Sequence, residues 1–124
     1  MSETIRDERY WSERREYPRF DTELYCSLRE GVAHDLTAVM MRNLSLGGCF
    51  VLSDQPLPEQ SRVQLHLELP ELDRRVVITA EVAWQKLGGF GSGMGVRFLE
   101  IASDDLDVLR IYLRELAKES ELET

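Results

Sequence analysis

Apolar and polar residues alternate from position 24 onward, and that alternation predicts strands. Leu24, Cys26 and Leu28 fall on one face, with Glu23, Ser27 and Arg29 on the other. Gly31 reads as a turn, and residues 36–43 as a returning strand. Gly47-Gly48 reads as a tight turn into a short buried strand, Cys49-Phe50-Val51-Leu52. Residues 53–61 contain two prolines among polar side chains and read as a loop. Val63, Leu65, Leu67 and Leu69 then share one face, as do Val76, Ile78, Ala80, Val82 and Trp84. The glycine-rich run 88–93 is a connection, after which Met94, Val96 and Phe98 alternate again.

The period changes near position 103. Ser103 can cap a helix whose positive end suits Asp104 and Asp105, and Leu106, Leu109, Leu113 and Leu116 recur at helical spacing. A helix of this length needs a surface to cover, and the strands supply one. About six short strands followed by one helix predict a mainly β fold: a six-stranded antiparallel β-barrel with a C-terminal α-helix. Residues 1–20 are dense in charge of both signs and sustain neither period, so they read as a flexible N-terminal arm. The expected organisation is arm 1–20, barrel 21–101 and helix 103–119.

Composition narrows the function. The 124 residues make roughly one domain, and 43% hydrophobic with 31% charged residues describes a globular chain. No apolar run approaches the ~18 residues that span a bilayer, and residues 1–19 do not resemble a signal peptide, so a cytoplasmic protein without membrane insertion is expected. A net charge of −8 argues against a nucleic acid polymer, which needs many phosphate contacts. A small ligand with two phosphates needs only a few arginines. Lysine occurs only at Lys86 and Lys118, so the basic charge is mostly guanidinium, which suits bidentate recognition. Cys26, Cys49, His34 and His66 lack metal-ligand spacing, and the two thiols read as buried hydrophobes. No nucleophile–base pair, acidic metal cluster or phosphate-binding loop is evident, so no catalytic residue, metal or cofactor is expected.

Two motifs remain. Arg15 and Arg19 form R-x-x-x-R directly after Arg14, on an arm where neither core packing nor a helix face explains them. Spacing alone proves little, because Arg110 and Arg114 share it on the terminal helix. The second motif, Asn43-Leu44-Ser45-Leu46-Gly47-Gly48, reads [D/N]-x-S-x-x-G. In an extended segment Asn43 and Ser45 project to one side and present an amide and a hydroxyl to one ligand edge, while Gly48 permits close backbone approach.

In this order, and with Gly93-Met94-Gly95-Val96-Arg97-Phe98 as a late strand, the motifs resemble the PilZ domain, the bacterial receptor module for cyclic di-GMP, over residues 9–116 or so. The resemblance implies that Arg15 and Arg19 grip guanine and phosphate, and that Asn43, Ser45 and Gly48 contact guanine. Arg14 resembles members that hold an intercalated pair of ligands. Trp84 matches a position where some members place an aromatic residue against the ligand, and it equally fits a plain core position on its apolar face. Asn43 offers one acceptor oxygen where Asp offers two, which bears on affinity. Two functions follow from the resemblance: a non-enzymatic cyclic di-GMP receptor that signals to a downstream protein, or an interaction adaptor of the same fold that does not use the nucleotide.

Overall fold

The computed structural model describes residues 4–5, 20–31, 35–69 and 72–122. Seven strands are paired: β1 (Thr4–Ile5), β2 (Phe20–Glu30), β3 (Thr37–Leu44), β4 (Gly48–Leu52), β5 (Arg62–Leu69), β6 (Arg74–Lys86) and β7 (Gly93–Ala102). One helix, α1 (Ser103–Leu122), follows. The order β1-β7-β4-β3-β2-β5-β6 is closed by antiparallel pairing of β6 with β7. Strands β2 to β7 thus form the expected six-stranded antiparallel barrel, and closure leaves no long unpaired edge among them. The two-residue β1, within the segment read as an arm, pairs Thr4 with Ala102 and Ile5 with Ile101.

The inward residues are those the alternation selects. Val63, Leu65, Leu67, Leu69, Val76, Ile78, Ala80, Val82, Met94, Val96 and Phe98 are all buried. On β7 the core series continues from Phe98 to Ile101, because Leu99 is an extra residue: Phe98 pairs with Ala80 and Glu100 with Thr79. The helix lays Leu106, Leu109, Tyr112 and Leu113 against this core and packs on β6, β7 and β2. Asp105, expected only to complement the helix dipole, also ties the helix to the barrel. Its Oδ2 accepts from the Val77 backbone N–H at 3.2 Å, and Oδ1 lies 3.7 Å from Arg74.

Cys26 and Cys49 are buried and free, and burial pushes the Cys26 thiol up to about 11. Among the described residues no group of His, Cys, Asp or Glu is placed to hold a metal ion, and no helix is long and apolar enough to cross a membrane. His66 lies on the outer face of β5, with Nε2 2.9 Å from Gln64 Oε1. The same oxygen accepts from the Arg29 guanidinium, so it is an acceptor for the imidazole too, and Nε2 carries the proton. Nδ1 is buried without a partner. Burial first, then the positive charges of Arg75 and Arg29, lower the His66 pKa, against the opposing effect of Glu68.

Two outcomes follow. Leu109→Ala, at a site with no solvent exposure, lowers stability by about 2–5 kcal/mol in urea unfolding. Because His66 resists protonation when folded, the unfolded chain binds more protons just below the ordinary value of 6.5. Stability is therefore lost as pH falls through that range, and the urea midpoint declines less between about pH 7 and about pH 5.5 in His66→Gln than in the wild type.

Candidate functional site

The turn from β3 to β4 is built by its own residues. Asn43 is exposed and left-handed, with φ of 54°. Asparagine tolerates that conformation better than most side chains. Leu44 is fully buried and is the Cα partner of Phe20. Ser45 is only 5% exposed. Its N–H donates to the Gly48 carbonyl at 2.9 Å, and its Oγ accepts from the Gly47 N–H at 3.1 Å. The Gly47 carbonyl in turn accepts from Phe98 N–H on β7 at 2.9 Å. The expected same-side projection of Asn43 and Ser45 is not observed: the left-handed residue breaks the alternation, leaving one amide in solvent and one hydroxyl folded into the turn. The Ser45 hydroxyl also donates to the Gly48 carbonyl, at 3.4 Å, long for an O–H donor.

Gly48 is explained by packing. A Cβ there would stand 2.2 Å from the Val96 carbonyl oxygen, so the close approach it permits is that of β4 to β7. The same holds along β7. A Cβ on Gly93 would meet the Val51 carbonyl oxygen at 2.2 Å and the Phe50 ring at 2.8 Å, and one on Gly95 would meet the Trp84 indole at 2.2 Å. These glycines leave a flat floor on the outer barrel surface, and two aromatic rings lie on it. Phe50 and Trp84 stack with centroids 5.3 Å apart and planes 24° from parallel.

Trp84 is 43% exposed, which excludes the core position that the same-face series of β6 implied. The register explains the difference. Val82 pairs with Val96 and Trp84 with Gly95, so Ala83 is an extra residue that turns Trp84 outward. Phe50, read as part of a buried strand, is likewise on the outer face, where it is half-buried. Unlike Gly48, neither Phe50 nor Gly93 and Gly95 stood out in the sequence as site residues. The available signal was the spacing of Gly93 and Gly95 on one face of a strand, which marks close approach by another group.

Two cross-strand rows now define the surface. One runs Glu23, Arg42, Phe50, Gly95, Trp84. The next runs Gly48, Arg97, Glu81, Arg62. Arg42 pairs with Glu23 at 2.9 Å, while Glu81 stands between Arg97 at 3.5 Å and Arg62 at 4.0 Å. Aromatic faces, an exposed amide and guanidinium groups on one shallow surface suit a ligand with a flat heteroaromatic ring and a phosphate. The structure thus brings Trp84 to the outer face and places Asn43, Ser45 and Gly48 in one turn, with Gly48 across β7 from the β6 strand that carries Trp84. Arg14, Arg15 and Arg19 lie outside the described residues, whereas Arg110 and Arg114 lie on α1.

The family model for the PilZ domain matches residues 13–115. The structure of Bacillus subtilis inhibitor of motility, MotI/DgrA, aligns with a TM-score of 0.69 at 25% identity, over 85% of this chain and 53% of that one. The PilZ domain of YcgR from Escherichia coli, solved with c-di-GMP, aligns at 0.63 and 18% identity, over 89% of this chain and 96% of that one. K. pneumonia MrkH in its apo state aligns at 0.63 and 17% identity, over 89% and 53%. The chain therefore spans about half the length of MotI/DgrA and of MrkH. No curated protein sequence matches it.

The aromatic floor makes its own prediction. In a Trp11→Phe background, where Trp84 is the remaining tryptophan, Gly95→Ala lifts the indole off β7 and shifts its emission to the red. Unfolding in urea then shows a loss of about 1–3 kcal/mol.

Proposed function

Because the chain belongs to the PilZ domain family, we propose that it is a non-enzymatic receptor for cyclic di-GMP that relays the signal to a partner protein. The observation that carries this reading is the conjunction at one surface of the Asn43–Gly48 turn and the exposed Trp84–Phe50 stack on Gly95. A guanine is a flat π system whose edge carries both donors and acceptors. Trp84 offers it a face, and the Asn43 amide offers its edge one donor group and one acceptor. The YcgR domain that shares this fold was solved with c-di-GMP.

The R-x-x-x-R arginines complete the proposed site. Phe20 stands opposite Leu44, between the two polar residues of the turn, and Arg19 is joined to Phe20 by one peptide bond. In this reading Arg15 and Arg19 donate to guanine and phosphate, and Arg14 serves a second, intercalated ligand. Ser45 contributes chiefly by fixing the turn, with a hydroxyl whose long bond to the Gly48 carbonyl can be exchanged for one to the ligand, and Gly48 by keeping β4 against β7. Relay to a partner requires that ligand favour one arrangement of the partner-binding surface over another.

A second reading, an adaptor that does not use the nucleotide, draws on the β6–β7 connection. There Phe90 is fully exposed beside a largely exposed Leu87. Partner capture that is identical with and without cyclic di-GMP, by a protein that gives no heat with the ligand, would establish it.

Isothermal titration of the folded chain with cyclic di-GMP tests the receptor reading. Binding is expected, with Arg15→Ala and Arg19→Ala each weakening it about tenfold or more, since a charged hydrogen bond contributes ~1.5–3 kcal/mol. Arg114→Ala, on an exposed stretch of α1, leaves it unchanged. Asn43→Asp tightens it by restoring a second acceptor. Absence of heat at micromolar ligand, with the fold intact, overturns the proposal.

A further inference from the structure

Arg97 is unassigned by either motif, yet it stands beside both the turn and the aromatic floor. It is the Cα partner of Gly48 on one side and of Glu81 on the other. Its chain neighbours Val96 and Phe98 are buried, so its own side chain, 54% exposed, points outward. It lies two residues beyond Gly95 on the same outer face, the face that carries the Trp84 indole.

The charge around it is unbalanced. The Glu81 carboxylate faces two guanidinium groups, Arg97 at Oε1 and Arg62 at Oε2. The trio therefore carries one net positive charge on a chain whose formal charge is −8. Neither contact is tight: 3.5 and 4.0 Å compare with 2.7 Å for Arg75 and Glu68 and 2.9 Å for Arg42 and Glu23. Charge-assisted hydrogen bonds close to ~2.7–2.9 Å when geometry allows. Exposed ion pairs at longer range hold weakly. Arg97 is thus restrained by a shared carboxylate and can be released to a better acceptor.

We propose that Arg97 is a further arginine of the ligand site, donating to a phosphate of the bound dinucleotide, with Glu81 as the carboxylate it leaves. The inference rests on the receptor reading above and adds a residue and a competitor to it. On the Gly48 side Arg97 is paired with a residue that has no side chain, so a ligand lying over the floor can reach the guanidinium from there. A phosphate presents several oxygens to the planar fork, whereas Glu81 gives Arg97 one, at 3.5 Å. Removing Glu81 therefore helps the ligand, and removing Arg97 hurts it.

That opposition of sign separates the proposal from a plain structural ladder across β6 and β7. The experiment is titration of folded wild type, Arg97→Gln, Arg97→Lys, Glu81→Gln and Arg75→Gln with cyclic di-GMP, each at two salt concentrations, alongside urea unfolding. Arg97→Gln is expected to weaken binding about tenfold and to make it less salt-dependent. Arg97→Lys recovers part of the loss, because it keeps charge without the fork. Glu81→Gln tightens binding severalfold, and Arg75→Gln, whose pair with Glu68 lies at the far end of β6, leaves affinity unchanged. If the wild type binds and Arg97→Gln binds equally well, or if Glu81→Gln weakens binding as much as Arg97→Gln does, the assignment of Arg97 is overturned while the receptor reading stands. If the wild type does not bind, both fall together.

Discussion

The barrel depends on how closely β4 comes to β7. At Gly48 and at Gly93 the space for a Cβ is already occupied by the carbonyl oxygen of the opposite strand. A residue larger than glycine at either point would push the strands apart, and with them the turn whose carbonyl at Gly47 holds Phe98. The third glycine of this seam, Gly95, faces an aromatic ring instead of backbone. One constraint, absence of side chains along a seam, thus serves both the closure of the barrel and the presentation of a flat aromatic surface outside it.

The same economy applies to the motif turn. Ser45 is buried and hydrogen-bonded within the turn, while Asn43 is displayed because its backbone is left-handed. The residues that define the motif therefore divide their tasks. Some hold the loop in shape and some meet solvent, and the loop cannot present the second without the first.

The interior was legible in the sequence because a strand with one buried face has no freedom of register: a slip of one residue would expose Leu65 and Leu67 and bury Gln64 and His66. The helix was legible for the analogous reason at its own period. The outer face was not. Counting by twos carries Trp84 into the core with Val82, and only the partner strand reveals that Ala83 is extra. Phe50 looks like a core residue for its apolarity alone. Asn43 and Ser45 look equivalent until a single dihedral separates them. Periodicity reports which residues the core demands, whereas bulges and left-handed residues belong to the surface, where the site is. The two-residue β1 is too short to carry any period at all.

That short strand bears on the energetics of the site. Ile5 is paired to β7 and Phe20 to β3, so residues 6–19 are bounded at both ends by attachments to the barrel. A chain fastened twice samples a smaller volume than a tail fastened once, and the cost of closing it has already been met by folding. Under the receptor reading, groups on that span that bind ligand would act at an effective concentration set by the length of the span. Lengthening that span, or cutting the β1 pairing, would dilute them without altering a single contact on the barrel itself.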